Sequence, residues 1–190
     1  MAHKFDVRNK HKLDNEKRRE ILPPHKALKE LRLQEGDTIA DIGCGIGYFS
    51  IPAAQIVGES GKVFAMDISL EMIEELERKA ENNNISNIKA IVTEENDLKV
   101  DDNSVSYAFI CNVLHETQDM KLFLTEVKRI LTDCGKLVIV EWKKENTDYG
   151  PPLEHRLSKE EVYGALKHIG LNNMTYQEVG AYFYAVIAEK

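Results

Sequence analysis

The run Ile39-Ala40-Asp41-Ile42-Gly43-Cys44-Gly45-Ile46-Gly47-Tyr48-Phe49-Ser50 constrains this chain more than any other. Apolar residues carrying one acid lead into three glycines at alternate positions, and helix-compatible sequence follows. Glycine has no Cβ, so the main chain turns tightly there and a ligand can approach it closely. A helix that begins after such a turn presents unpaired N–H groups and a partial positive charge. A strand, glycine loop and helix in this order form a cradle for a small molecule.

A regular alternation continues from that unit. Residues 38–41, 62–66, 88–93, 105–111 and 136–142 read as strands, the last almost uniformly apolar and therefore central in a sheet. Helices are expected from the glycine loop to about Val57, with Pro52 in the first turn, and from an N-cap at Ser69 to about Asn82. Leu70, Ile73, Leu76 and Ala80 mark the buried stripe of the latter. A further helix carries Met120, Phe123, Leu124, Val127, Ile130 and Leu131 and ends near Gly135. The last runs to Ile169 from a capping box of Ser158 and Glu161. Residues 174–179 and 182–188 close the chain as two strands joined at Gly180.

The order predicts an α/β class fold: a Rossmann-like, doubly wound, seven-stranded sheet, mostly parallel with a C-terminal antiparallel hairpin. Its ligand belongs beyond the C-terminal ends of the strands, beside the first strand. Residues 37–190 read as the main domain and residues 1–36 as an N-terminal helical arm or lid. The arm has helices expected at 15–22 and 24–33 and too few apolar residues to fold alone.

Composition removes several function classes. A chain of 190 residues with a net charge of −7 lacks the clustered Lys and Arg of a nucleic-acid binder, and its one basic stretch is broken by Asp14 and Glu16. No apolar run approaches the ~20 residues that span a bilayer, and Met1-Ala2-His3-Lys4-Phe5-Asp6 has no secretion-signal core. Cys44, Cys111 and Cys134 are too scattered for a zinc site or a disulfide framework, so no metal is expected and a cytoplasmic location is.

The glycines at 43, 45 and 47 give G-x-G-x-G, with Tyr48 where a dinucleotide fingerprint needs glycine. Asp41 disfavours a pyrophosphate at the loop mouth and suits a ligand bearing an ammonium group. A nucleoside with an amino-acid tail has that group, and its carboxylate can meet backbone N–H groups; S-adenosylmethionine is such a ligand. A P-loop motif is absent. Asp67, after the second strand, is placed to accept both hydroxyls of a ribose, although an Asp there also serves simply to start a turn.

Taken together, Asp41-Ile42-Gly43-Cys44-Gly45-Ile46-Gly47, Val63-Phe64-Ala65-Met66-Asp67, Asn112-Val113-Leu114-His115, Arg129-Ile130-Leu131 and Gly135-Lys136-Leu137-Val138-Ile139 resemble a class I S-adenosylmethionine-dependent methyltransferase. The likeness is to the small-molecule, quinone-methylase-like type, and is strongest over residues 37–142. The resemblance implies S-adenosylmethionine as cofactor, held by the main chain of Gly43, Cys44, Gly45 and Gly47. It implies that Asp67 takes the ribose, Ile68 the adenine face, and Glu94 or Glu95 the adenine amino group, with Glu94 preferred by spacing from Leu98. Asp41, Cys111 and Asn112 would flank the methionine ammonium and the transferable methyl. The sequence departs from the pattern at Ser106, where relatives often carry Asp, which is expected to loosen a structural hydrogen bond, and at Asp133-Cys134-Gly135 in place of Pro-Gly-Gly.

The implied partner is a small-molecule methyl acceptor, with no nucleic acid and no membrane; a monomer and a homodimer are both open. Methyl transfer is an in-line displacement in which the protein aligns nucleophile and methyl, so a general base is needed only for a protonated acceptor. No catalytic residue is assigned; His115 is the candidate base, and it reads more readily as a residue that packs and hydrogen-bonds at the start of the next segment. Acceptor recognition is expected from the arm and residues 143–157, where Phe5, Arg18, Arg19, Tyr149 and Arg156 stand, each also readable as ordinary surface. Two alternatives remain: a non-catalytic binder of the same cofactor, and a nicotinamide-dependent oxidoreductase, which the glycine spacing disfavours.

Overall fold

The computed structural model describes residues 7–190. Its strands are β1 (Thr38–Ile42), β2 (Lys62–Asp67), β3 (Ile88–Val92), β4 (Val105–Cys111), β5 (Leu131–Trp142), β6 (Asn172–Val179) and β7 (Phe183–Glu189). Its helices are α1 (Glu16–Ile21), α2 (Pro24–Glu30), α3 (Ser50–Val57), α4 (Leu70–Asn82), α5 (Met120–Ile130) and α6 (Lys159–His168). The sheet has seven strands in the order β3-β2-β1-β4-β5-β7-β6. β1 to β5 pair in parallel, and β7 lies antiparallel between β5 and β6. The chain proceeds outward from β1 through β2 to β3, then returns to place β4 on the other side of β1. That reversal opens a crevice at the C-terminal end of β1, where the glycine loop sits.

Local sequence explains most boundaries. The Ser69 hydroxyl accepts from the Met72 N–H to start α4, and Ser158 and Glu161 form the reciprocal capping box of α6. Pro52 is the third residue of α3, where its missing N–H leaves no bond unmade. On α4 the buried stripe is Met72, Ile73, Leu76 and Ala80; Leu70, expected in it, is exposed because it precedes the first full turn.

Two helices stop earlier than the periodicity predicts. α2 ends at Glu30, Arg32 takes a left-handed φ of 67°, and the Leu33 N–H bonds back to the Leu28 carbonyl. This termination lets both Leu31 and Leu33 turn into the core. α5 ends at Ile130 rather than near Gly135, because buried Leu131 already pairs with Val105 at the start of β5. The pairing then slips, Tyr107 facing Lys136, and Cys134 in the slipped segment has a φ of 63°.

Apolar side chains cover both sheet faces. On one, Ile39, Tyr107, Phe109, Val138 and Phe183 pack with Phe49 of the loop and with Leu22, Leu28, Leu31 and Leu33 of the arm. On the other, Ile42, Ile110, Leu137 and Val186 pack under α5 and α6. The arm is thus built into the first core. Tyr48 and Tyr107 donate hydroxyl hydrogen bonds to the Leu22 and Leu31 carbonyls at 2.7 and 3.0 Å. Ser106 does not loosen the sheet: it donates to Asp37 at 2.8 Å and accepts from the Thr38 N–H at 3.1 Å. Among the described residues no helix is long and apolar enough to cross a membrane.

Candidate active site

The glycine loop ties itself to β2. The N–H groups of Gly43 and Cys44 both donate to the Met66 carbonyl, at 2.8 and 2.9 Å. The Gly45 N–H donates to Asp67 Oδ2 at 2.9 Å, and the Gly47 N–H to the Cys44 carbonyl at 3.0 Å. These bonds hold the loop against β2 and fix its turn. The glycines serve another need. Gly43 has a φ of +75°, and a Cβ there would lie 2.3 Å from Cγ2 of Val113. Gly47 has a φ of +83°, and its Cβ would press on Leu76 at 3.1 Å. Only a residue without a side chain lets this loop pass between those two neighbours.

Asp67 closes the loop from below. Its Oδ1 accepts from the Ser69 N–H and its Oδ2 from Gly45, both at 2.9 Å. Burial pushes its pKa up, against the pull of those backbone bonds. Each oxygen still has a second lone pair, so the pair is pre-aimed for a diol. Ile68 beside it is 49% exposed, an apolar surface beside the carboxylate and free to cover a flat ring.

Asp41 is 3% exposed and bonded at 2.5 Å by the Ser50 hydroxyl. Burial raises its pKa to about 7, with the Ser50 bond opposing and the Asp67 charge adding to the rise. The alternation of side chains along β1 turns residue 41 toward the face that holds α3. Cys44 is buried, its thiol pushed well up by burial and by the neighbouring carboxylates. Cys111, at the end of β4, is buried likewise and its pKa rises to about 12.

Asn112 follows with a φ of 58°, its N–H bonded to the Val140 carbonyl at 2.9 Å. Its side-chain Oδ1 is buried and accepts no hydrogen bond, among the described residues the only such side-chain atom. A buried acceptor left unpaired costs about 1–3 kcal/mol, so this atom asks for a donor. Glu94 and Glu95 lie beyond β3. Glu94 is exposed and its carboxylate reaches Lys99 at 3.4 Å, whereas Glu95 is half-buried and accepts the Gln118 N–H at 2.7 Å.

His115 has a partner that its sequence context does not reveal. Its Nδ1 lies 2.8 Å from Oε2 of Glu141, a fully buried carboxylate on β5, and its N–H donates to Oε1 at 3.3 Å. Burial pulls the imidazole pKa down, but the Glu141 hydrogen bond and charge outweigh it and leave the pKa raised. Since a carboxylate accepts, Nδ1 carries the proton and Nε2 the lone pair in the neutral ring. Arg156 was missed in a different way. It is 4% exposed, and donates to the carbonyls of Lys143, Glu145, Tyr149 and Pro151, pinning residues 143–157. An Arg beside Gly150-Pro151-Pro152 was the available signal, since an irregular segment needs donors for its carbonyls. Arg19 is a surface residue bonded to Asp14, and Phe5 lies outside the described residues. Arg18 is half-buried with its guanidinium 4.6 Å from the centre of the Tyr48 ring, and Tyr149 is exposed and meets the Tyr182 ring edge-on at 5.7 Å.

The parallel sheet reverses beside β1, with the glycine loop there, the Asp67 carboxylate after β2 and the unpaired Asn112 Oδ1 after β4, the arrangement of an α/β domain that takes a ligand at its switch point. Comparison with known proteins agrees. The family described as a methyltransferase domain matches residues 33–180. A solved S-adenosylmethionine-dependent methyltransferase from Aquifex aeolicus is 37% identical, with a TM-score of 0.94 over 98% of this chain and 99% of that one. Demethylmenaquinone methyltransferases of Oceanobacillus iheyensis and Staphylococcus carnosus are 29% and 31% identical over 60% and 61% of this chain and 48% and 47% of theirs. The chain spans about half the length of these curated relatives. It belongs to the methyltransferase-domain family, and its resemblance to class I S-adenosylmethionine-dependent methyltransferases holds at the level of sequence and fold.

Proposed function

We propose that this chain transfers a methyl group from S-adenosylmethionine to a small-molecule acceptor by in-line displacement. One observation carries the reading: the unpaired Asn112 Oδ1, buried next to the residue that packs on Gly43, is an acceptor waiting for a donor such as the cofactor ammonium. When bound, S-adenosylmethionine supplies a methyl group on a cationic sulfur, already activated toward nucleophiles.

The protein's part is to bind, orient and exclude water. Asp67 accepts the ribose hydroxyls with oxygens already aimed by Gly45 and Ser69. Ile68 covers one face of the adenine, and Glu94 or Glu95 accepts from its amino group. Gly43, Cys44, Gly45 and Gly47 let the main chain lie against the methionine part, and Asp41 and Cys111 line it from the α3 face. The arm, whose Leu13 would meet a Cβ on Gly45 at 3.0 Å, covers the loop as a lid. For an acceptor that arrives protonated, His115 takes the proton at Nε2 while Glu141 holds Nδ1.

The acceptor, on the pattern of the relatives named above, is a demethylmenaquinone-like small molecule. A cytoplasmic location and either a monomer or a homodimer complete the reading, the latter settled by sedimentation equilibrium. Incubation with methyl-labelled S-adenosylmethionine and fractionated metabolite extract should label one small molecule. A protein that binds the cofactor but labels nothing in any fraction refutes the catalytic reading in favour of cofactor binding alone.

A further inference from the structure

On α1, Arg18 is the cation that no ion pair among the described residues neutralises. Arg18 of α1 is half-buried, its guanidinium 4.6 Å from the centre of the Tyr48 ring. Its charge lowers the pKa of Cys111 at the end of β4 and of Asp41 at the end of β1. Its ring partner Tyr48 directly follows Gly47, so the guanidinium stands beside the glycine loop. Its neighbours on the helix are paired, Lys17 with Glu20 at 3.0 Å and Arg19 with Asp14 at 2.7 Å. Among the described residues Arg18 has no ion-pair partner. Asp41 does not neutralise it, because that carboxyl is committed to Ser50 and is incompletely ionised at neutral pH.

The surroundings are flat and aromatic. Tyr48 takes one face of the guanidinium, leaving its N–H edge for a second ligand. One residue away, Lys17 lies 5.3 Å from the Tyr149 ring, which meets Tyr182 edge-on at 5.7 Å. A planar acid fits here: its anionic oxygens take the guanidinium edge and its ring lies among the aromatic walls. A permanently cationic acceptor would be repelled by Arg18.

We propose that Arg18 is a specificity-determining residue, selecting a planar methyl acceptor that carries an anionic oxygen. The proposal rests on the methyl-transfer reading for the identity of the neighbouring cofactor, and its test separates the two. Calorimetry is run with 2-naphthoate and with its uncharged counterpart 2-naphthamide, on wild type, Arg18→Gln and Arg18→Lys. Each protein is first titrated with S-adenosylhomocysteine, which distinguishes a lost fold or cofactor site from a lost acid site. A charge-assisted, two-pronged contact predicts that wild type binds the acid about tenfold or more tighter than the amide. Arg18→Gln should bring the acid to the level of the amide, and Arg18→Lys should restore part of the preference, as a point charge without the fork. Equal binding of acid and amide by wild type, binding of neither, or a preference that survives Arg18→Gln overturns the proposal. Failure of S-adenosylhomocysteine to bind overturns the cofactor reading instead, and the acid and amide comparison then still decides the role of Arg18.

Discussion

Asp41→Asn isolates the most perturbed carboxyl near the glycine loop. In the unfolded chain this group titrates near 3.8, and in the fold burial lifts it to about 7. Between those values the native carboxyl keeps a proton that the unfolded chain has lost, so its contribution to stability is intact below pH 4. That contribution falls as pH rises through 7. The gap of about 3 pKa units corresponds to roughly 4 kcal/mol at 1.36 kcal/mol per unit. Asparagine has no charge to bury and its amide oxygen can still accept from the Ser50 hydroxyl. The stability of Asp41→Asn relative to wild type should therefore rise by about 2–3 kcal/mol from pH 5 to pH 8, with no matching change below pH 4. Asp67, also raised, titrates in both proteins and drops out of the difference. Urea unfolding at pH 4, 5, 6, 7 and 8 measures it. A stability difference independent of pH would refute the reasoning, since the carboxyl would then titrate alike folded and unfolded. Binding of a cationic ligand beside Asp41 should further release a proton near pH 7, visible as a binding enthalpy that varies with the buffer.

Other perturbations test separate parts of the structure. Gly43→Ala must strain a φ of +75° and displace Val113, which should cost about 2–4 kcal/mol in urea unfolding; a cost under 0.5 kcal/mol would show that the loop has slack. Glu141→Gln should lower the His115 pKa, read by NMR of the imidazole. In wild type the stability from this raised pKa is present below about pH 6.5 and lost as pH rises through the folded value. An unmoved imidazole pKa would remove Glu141 as the cause. Tyr48→Phe leaves the buried Leu22 carbonyl without its 2.7 Å bond, costing about 1 kcal/mol and speeding amide exchange in α1, with β4 unchanged. Arg156→Ala should expose residues 143–157 to protease well below the global unfolding midpoint, because four carbonyls lose their donor.

Much of the fold was legible because its causes are local. Apolar runs, amphipathic periodicity, the Ser69 cap and the Ser158–Glu161 box each act within a few residues, and the strand order follows from the alternation they create. The position of Asp67 after β2 was legible for the same reason. What sequence did not reveal depends on residues far apart in the chain. His115 meets Glu141 and Arg156 meets the carbonyls of residues 143–151 only after the fold has formed. Asp41 sits beside glycines in sequence, and its bond to Ser50 of α3 depends on the alternation of β1 turning it to that helix's face. The bonds from the Gly43, Cys44 and Gly45 N–H groups to Met66 and Asp67 form across the β1–β2 pair, between residues more than twenty apart. Leu31 and Leu33 end α2 early because both are drawn into a core built by Tyr107 and Phe183.

The central claim is that the crevice beside β1 holds S-adenosylmethionine. Calorimetric titration of the whole chain with S-adenosylmethionine and with S-adenosylhomocysteine tests it most directly. Saturable binding of both at one site per chain, abolished or much weakened by Asp67→Ala in a protein that stays folded, is the predicted result. No heat of binding from either compound at millimolar concentration would contradict the account.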